Sequence, residues 1–422
     1  MNTNERNSII ALIQQEVIPA MGCTEPVSVA LAVARATELL ENRPDFIEVF
    51  LSANVLKNAM GVGIPGTGMY GLPIAIAMGA IAGKSEYGLE VLKDTTPAFL
   101  EEGKKMILDK RIKVSLKADC IEKLYIEVKV AKGDNRATTI ISGDHTRFVY
   151  WEKDGAVLFE LPHTSEAIQE EENLHLTFDT VCEFALTTPL EDLRFILKTV
   201  DLNRSAATES LKGTYGHGIA HTLSNGLMGN NVYTHMLSYT AAACDARMAG
   251  AMIPVMSNSG SGNQGITATL PVSVFAEETG KSEEELIRAL TLSHLMTIYI
   301  KQSLGRLSGL CGAVVAATGS SCGITYLMGG TREQIGYAIK NMIGNITGMI
   351  CDGAKPSCTL KVSNGVSTAT LSAMMAIENK VVTAVEGIAD EEVDKTIQNL
   401  TKIGRFGMLE TDRMILEIMT SK

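Results

Sequence analysis

Apolar positions change their period twice along this chain. Residues 4–17 repeat at helical spacing, and a second helix is expected from Thr24 to about residue 42, with Thr24 as N-cap and Pro26 in the first turn. Phe46-Ile-Glu-Val-Phe-Leu-Ser52 then reads as a strand. From 110 to 162 the period is two: Ile112-Lys-Val-Ser-Leu, Leu124-Tyr-Ile-Glu-Val-Lys-Val, Ala137-Thr-Thr-Ile-Ile, Phe148-Val-Tyr-Trp and Val157-Leu-Phe-Glu-Leu. Lys132-Gly-Asp-Asn and Lys153-Asp-Gly supply turn chemistry between them. Residues 164–178 are acidic and polar, and read as surface or linker. From about 179 to 422 the helical period returns, broken by glycine loops, and the stretch from Glu391 onward reads as a charged amphipathic surface helix. The pattern predicts an α+β protein, with a small, mainly antiparallel sheet packed on a larger helical domain that carries the glycine-rich loops. The expected divisions are 1–43, helices packing with the helical domain; 44–178, the strand-rich region; and 179–422, the helical catalytic domain. Glycine loops are expected to meet at the junction, where ligand sites commonly lie.

Composition narrows the picture. A chain of 422 residues, 45% hydrophobic and 20% charged, can bury a large core in about two domains. Its net charge of −11 argues against nucleic acid or an anionic membrane as partner. Few aromatics (5%) beside 38 Gly and 20 Met suit close helix packing, with Met filling gaps. Asn58–Gly83, Met248–Ala276 and Leu307–Thr331 carry no charge and are long enough to suggest membrane spans. Each is interrupted by a polar glycine loop that lipid would not tolerate, so burial inside a soluble enzyme is expected instead. The polar start, Met1-Asn-Thr-Asn-Glu-Arg-Asn, lacks the pattern of a signal peptide. A cytoplasmic protein with reduced cysteines is expected, acting on a small amino-acid substrate as a homodimer, without nucleic acid or membrane partners.

The densest chemistry lies in Cys351-Asp-Gly-Ala-Lys-Pro-Ser-Cys358. Pro inside a helix costs about 3 kcal/mol, so this run reads as a loop that turns both sulfurs toward one place. Cys311 lies upstream in another small-residue run. Three converging thiolates in a reduced chain suggest a metal or iron–sulfur site before a disulfide. Four cysteines usually hold a cubane, so three leave one iron open as a Lewis acid. Three-cysteine zinc with a water is a second option, and three small buried apolar side chains a third. Cys322 is a less favoured ligand, and Cys120, Cys182 and Cys244 read as core. Cys23 stands before a helix start, where the dipole favours a thiolate suited to act as base, nucleophile or temporary fourth ligand.

No histidine sits in a recognised metal pair. His217 and His221 lack a third ligand, and His145 follows Gly-Asp in a turn that could aim it at a cleft. The run from Asn54 to Gly68 lacks the Gly-Lys-Ser/Thr of a P-loop, although its amides could cradle a carboxylate. Neither a nucleophile elbow nor a dinucleotide fingerprint is present, and nothing points to pyridoxal phosphate.

Met21-Gly-Cys23-Thr-Glu-Pro26, the run from Asn54 through Gly-Ile-Pro-Gly-Thr-Gly68, Ser257-Asn-Ser-Gly-Ser-Gly-Asn263-Gln-Gly265 and the Cys311…Cys351-Asp…Cys358 set together resemble the L-cysteine desulfidase family over essentially the whole chain. The C-terminal half is similar, more distantly, to the alpha chain of iron–sulfur L-serine dehydratases. Those carry Cys-Asp-Pro where Gly353 follows Asp352 here. The resemblance implies a 4Fe–4S lyase. Cys311, Cys351 and Cys358 would hold three irons, and the fourth would take the substrate's sulfur. Cys23 would be the catalytic proton acceptor. Asn54, Asn58, Gly66, Thr67, Gly68, Ser259, Asn263 and His145 would bind the substrate. The implied reaction is β-elimination of L-cysteine to pyruvate, ammonia and hydrogen sulfide. L-serine dehydration by the same chemistry is one alternative reading, and a non-catalytic cluster protein or redox sensor is the other. A sensor has no need of an open iron.

Overall fold

The computed structural model of the chain describes residues 1–161 and 174–421; most of the stretch expected as linker, 162–173, lies outside the described residues. The period-two segments form one six-stranded sheet. Its strands are β2 (Phe46–Leu51), β3 (Ile112–Leu116), β4 (Tyr125–Lys132), β5 (Asn135–Ser142), β6 (Phe148–Lys153) and β7 (Ala156–Glu160), in the order β3-β2-β4-β5-β6-β7. All neighbours are antiparallel except β2 and β3, which run parallel with Ile47 opposite Ile112. That exception follows from the chain between them. It holds α3 (Ala53–Ala59), α4 (Leu72–Ile81) and α5 (Pro97–Leu108), long enough for a crossover. Val49, Leu51, Ile126, Val128 and Val130 point from the sheet into a core shared with α4 and α2 (Thr24–Leu40). Gly79 of α4 permits that contact, because a Cβ there would lie 2.6 Å from the Ala30 carbonyl oxygen.

The helix α1 (Thr3–Glu16) places Ile9 and Ile13 in the core of the helical body. By contrast, α2 buries Val29, Ala30, Val33 and Ala36 against the sheet. The expectation that residues 1–43 pack together with the helical domain is corrected for α2. Its run of small apolar residues is buried nearly all round and fits the flat face of a sheet. Between the two helices, β1 (Pro19–Met21) pairs antiparallel with β8 (Pro254–Met256), a ribbon of three residues a side that joins the two regions.

The helical body is built from Val232–Met248, Gly262–Glu278, Glu283–Leu304, Gly312–Leu327, Arg332–Ile346 and Cys358–Ile377. Capping boxes at Ser282/Glu285 and Thr331/Gln334 start two of them. Gly319 allows Gly312–Leu327 to lie directly on Glu283–Leu304, since a Cβ there would come within 2.3 Å of the Ser293 carbonyl oxygen. The charge-free stretches carry buried hydroxyls that bond back to their own helices, as Thr269 does to Gly265 O at 2.7 Å and Thr318 to Val314 O at 2.8 Å. No described helix is long and apolar enough to cross a membrane. The tail also differs from a plain surface helix: Ile397 and Leu400 are buried, and Leu409–Thr420 packs on α3.

His294, fully buried mid-helix, pins the Asn258–Ser261 turn to this body. Its Nδ1 accepts from Asn258 Nδ2 at 3.0 Å, and its Nε2–H donates to Thr269 Oγ1 at 3.0 Å. Burial pushes its pKa from 6.5 down to about 3. The unfolded chain therefore binds one more proton than the folded chain between those values. Stability is full above pH 6.5 and falls as the pH drops toward 3. The midpoint of urea unfolding should decline across that window, and His294→Gln should flatten the decline; an equal slope in both proteins would contradict the assignment.

Candidate functional site

Two backbone hydrogen bonds bring the distant cysteines together. Leu310 bridges Ile350 antiparallel, with Cys311 N–H donating to Met349 O at 3.0 Å and Cys351 N–H to Gly309 O at 2.8 Å. Cys311 is the N-cap of Gly312–Leu327, and Cys358 is the first residue of Cys358–Ile377. Two helix N-termini, each with a positive dipole end, thus meet at the thiols. The loop between Cys351 and Cys358 is held from both sides. Lys355 donates to Asp352 O and Gly353 O, while Lys361 donates to Ile350 O and pairs with Asp352. Their charges hold the Asp352 carboxyl down at about 2, against the opposing effect of burial. From behind, the buried Lys57 of α3 donates to Cys351 O at 3.1 Å and pairs with Asp412 of the last helix. Gly353, at φ +88, lies so close to Lys57 that a Cβ would meet its carbonyl oxygen at 2.4 Å.

All eight cysteines are free thiols. Burial, then the neighbouring Cys351, pushes Cys311 up to about 12, and burial also raises Cys358. Thiols so placed are neutral until a metal takes their protons. No group of three or more His, Cys, Asp and Glu among the described residues is drawn together as the ligands of one metal ion would be. A cubane is different, because each cysteine takes its own iron corner. Three free thiols on one loop-and-bridge frame, facing two helix N-termini and two lysines, fit an anionic iron–sulfur cluster better than mononuclear zinc.

Cys23 packs in the same small apolar group as Cys311, Cys358 and Cys244. It, and not Thr24 as expected, is the N-cap of α2, and the expected thiolate is corrected. Burial first, and then the Glu25 carboxylate, raise its pKa well above the ordinary value, and its thiol donates to Glu25 Oε2 at 3.0 Å. The dipole of one helix does not outweigh desolvation and a carboxylate in contact. Glu25 also receives Thr24 Oγ1 at 3.1 Å and Asn58 Nδ2 at 2.9 Å. Burial alone would raise its pKa, but His145, the Cys23 thiol and Arg247 hold it below the usual value. His145 comes from the β5–β6 turn of the sheet and is 3% exposed, and neither ring nitrogen has a partner among the described residues. Burial lowers its pKa against the pull of Glu25 and Asp144. It rests on Gly260, where a Cβ would stand 2.9 Å from its ring. Arg306 steers it there by gripping Glu16 through two 2.7 Å bonds and Asp144 at 2.9 Å.

Other expected substrate groups serve the frame. Asn54 donates to Asp412 at 3.0 Å. Ser259 donates to Asn258 Oδ1 at 2.8 Å. The amide of Gly66 donates to Gly250 O at 3.1 Å, and Thr67 closes its own turn on Ile64 O at 2.8 Å. These bonds place the four residues at the seam between the sheet and the helices. Gly68 has open space around it. Asn263 Oδ1 receives Arg247 at 2.9 Å, and Arg247 Nε donates to Gly22 O at 3.0 Å. Arg247 and Glu25 were missed as site residues, while Cys244 is buried core as expected. Lys301 is buried and donates to Arg306 O at 2.9 Å, with its pKa lowered to about 8 by burial, then Arg306. Glu25 stood inside a quoted motif; Arg247 lies in the last turn of its helix with no motif around it.

A family model described as "Serine dehydratase alpha chain" matches residues 86–417. A UPF0597 protein of Bacteroides fragilis is 66% identical over 426 residues, covering 100% of both chains. UPF0597 proteins of Porphyromonas gingivalis and Oleidesulfovibrio alaskensis are similar at 56% over 432 residues (100% of both chains) and 47% over 424 residues (99% of both).

The Lys57–Asp412 pair generates a test. Asp412→Ala leaves a buried ammonium unpaired and should cost roughly 3 kcal/mol in urea unfolding. Lys57→Met combined with Asp412→Leu should recover most of that. Unchanged stability in the single variant would remove the latch from the account.

Proposed function

We propose, since the chain belongs to the serine dehydratase alpha chain family, that it is an iron–sulfur lyase eliminating the β-substituent of a small amino acid, with L-cysteine as substrate. The products are pyruvate, ammonia and hydrogen sulfide. The observation that carries this reading is the pairing of Cys311 with Cys351 through the Leu310–Ile350 bridge, with Cys358 beside them at the start of the next helix. These three would hold a 4Fe–4S cluster, which supplies an iron without a protein ligand as Lewis acid for the leaving group.

The rest falls to this chain's own side chains. Arg247, with Asn263 beside it, offers the guanidinium for the substrate carboxylate. The Cα proton must leave as the Cβ–S bond breaks and its electron pair departs with sulfur. His145 is the group in the right state to take that proton, because burial keeps its imidazole neutral and its nitrogens are unpartnered. Cys23, a thiol aimed at Glu25, is a proton donor rather than the base first expected. Burial of the whole group excludes water until the enamine is released, and hydrolysis then gives pyruvate and ammonia. The family description favours a second reading, L-serine dehydration with the same residues in the same roles.

Anaerobically reconstituted protein should release sulfide and pyruvate in equal amounts from L-cysteine. A higher kcat/KM for L-serine would transfer the assignment to the second reading, and no pyruvate from either would end both. Cys351→Ser should lose bound iron. His145→Gln should keep its iron while kcat falls by about 10²-fold. Because the His145 pKa lies below 6.5, activity should persist at pH values where an ordinary histidine is half protonated and be lost only as the pH falls further; an acid limb at 6.5 or above would exclude His145 as the base.

A further inference from the structure

Glu25 is a fully buried carboxylate, and no lysine, arginine or terminal amine lies within ion-pair distance of it among the described residues. Its hydrogen bonds come from neutral groups, the Cys23 thiol and the Asn58 amide, with the Thr24 hydroxyl shared with Gly260 O, 2.8 Å away. His145 and Arg247 act on it only from beyond contact, and a buried anion with no cation in contact is costly. The neighbourhood also holds acceptors left over. Asn58 spends its Nδ2 on Glu25 Oε1, yet its own Oδ1 is buried with no partner. Gln264 Oε1 is buried and unpartnered as well, and that side chain lies against Gly312, next to Cys311. The His145 ring, near enough to Glu25 to shift its pKa, is also without a partner at either nitrogen. A neutral imidazole always presents one acceptor nitrogen. One anion and several orphaned acceptors, beside the cysteine frame, describe a buried polar group short of a cation with several N–H donors.

We infer that Glu25 and Asn58 form the subsite for the protonated α-amino group of an amino-acid substrate, completing the zwitterion recognition that Arg247 begins at the carboxylate. An α-ammonium carries three donors and one positive charge, which matches the Glu25 carboxylate, Asn58 Oδ1 and one further acceptor of that group. The assignment rests on the amino-acid lyase reading given above. It restricts the substrate class to α-amino acids with a free amino group. Peptides blocked at that nitrogen, thiol acids and hydroxy acids lack the matching charge.

Three small probes that cannot undergo elimination test it on the reconstituted protein: L-alanine, propionate without the ammonium, and ethylamine without the carboxylate. Calorimetry reads their affinity without any turnover. The native protein should bind L-alanine at least tenfold more tightly than propionate, on the scale of a hydrogen bond to a charged group. Glu25→Gln should cut L-alanine affinity by tenfold or more and leave propionate affinity within about twofold, so that the preference collapses. Asn58→Ala should move L-alanine in the same direction by a smaller factor, which keeps the test alive if Glu25→Gln does not fold. An unchanged L-alanine-to-propionate ratio in both variants would overturn the subsite while leaving the lyase reading intact. A native protein that binds no L-alanine and makes no pyruvate from cysteine or serine would instead overturn both.

Discussion

Everything at this site depends on one short piece of backbone pairing. The bridge between Leu310 and Ile350 ties two segments that are 40 residues apart, and it fixes Cys311 and Cys351 on adjoining strands of chain. Each hydrogen bond of the pair contributes only about 1 kcal/mol net, so the bridge survives because its surroundings hold it. Helices Gly312–Leu327 and Arg332–Ile346 are packed into the common core on the far side. On the near side, Lys57 reaches the Cys351 carbonyl, and its partner Asp412 comes from the last helix of the chain. The sulfurs therefore stand on a frame assembled from the sheet region, the helical body and the tail.

Desolvation is the second organising force. Burial raises the Cys23, Cys311 and Cys358 thiols and lowers the His145 imidazole, so each of these groups is neutral where it sits. Glu25 is the exception, kept charged by neighbours that donate to it or carry positive charge. Neutral thiols and imidazole, set between the Glu25 carboxylate and the Arg247 guanidinium, are poised for ligands that bring their own charge. Iron neutralises and deprotonates thiols, and an amino acid brings both an ammonium and a carboxylate. The same economy explains the glycine loops. Gly63, with a Cβ position 2.3 Å from Ala249 C, lets the 61–68 loop lie backbone to backbone on the 248–252 turn and close the seam.

Much of this was legible from the residues alone. Period-two alternation announced the strands of the sheet, because one face of each is buried. Proline and glycine between Cys351 and Cys358 announced a loop, and the second cysteine indeed opens a helix. The quoted motifs announced the L-cysteine desulfidase family and, more distantly, the serine dehydratase alpha chain; it is the alpha-chain model that the sequence matches. Side-chain chemistry and local conformation are properties of neighbours in sequence, so a sequence carries them directly.

What only the tertiary structure decided is which polar atom meets which. Asn54 and Ser259 look like ligand contacts in the sequence and turn out to hold Asp412 and Asn258. Glu25 stands in a quoted motif without a role, yet it is a buried carboxylate bonded by a thiol and an amide with no lysine or arginine in contact. Cys23 sits at a helix start, as expected, but its protonation is governed by burial and by a carboxylate in contact, which outweigh the dipole. The sequence determined the elements, the loop and the cysteine set. Folding decided the charge states, because these depend on water excluded and partners gained across hundreds of residues.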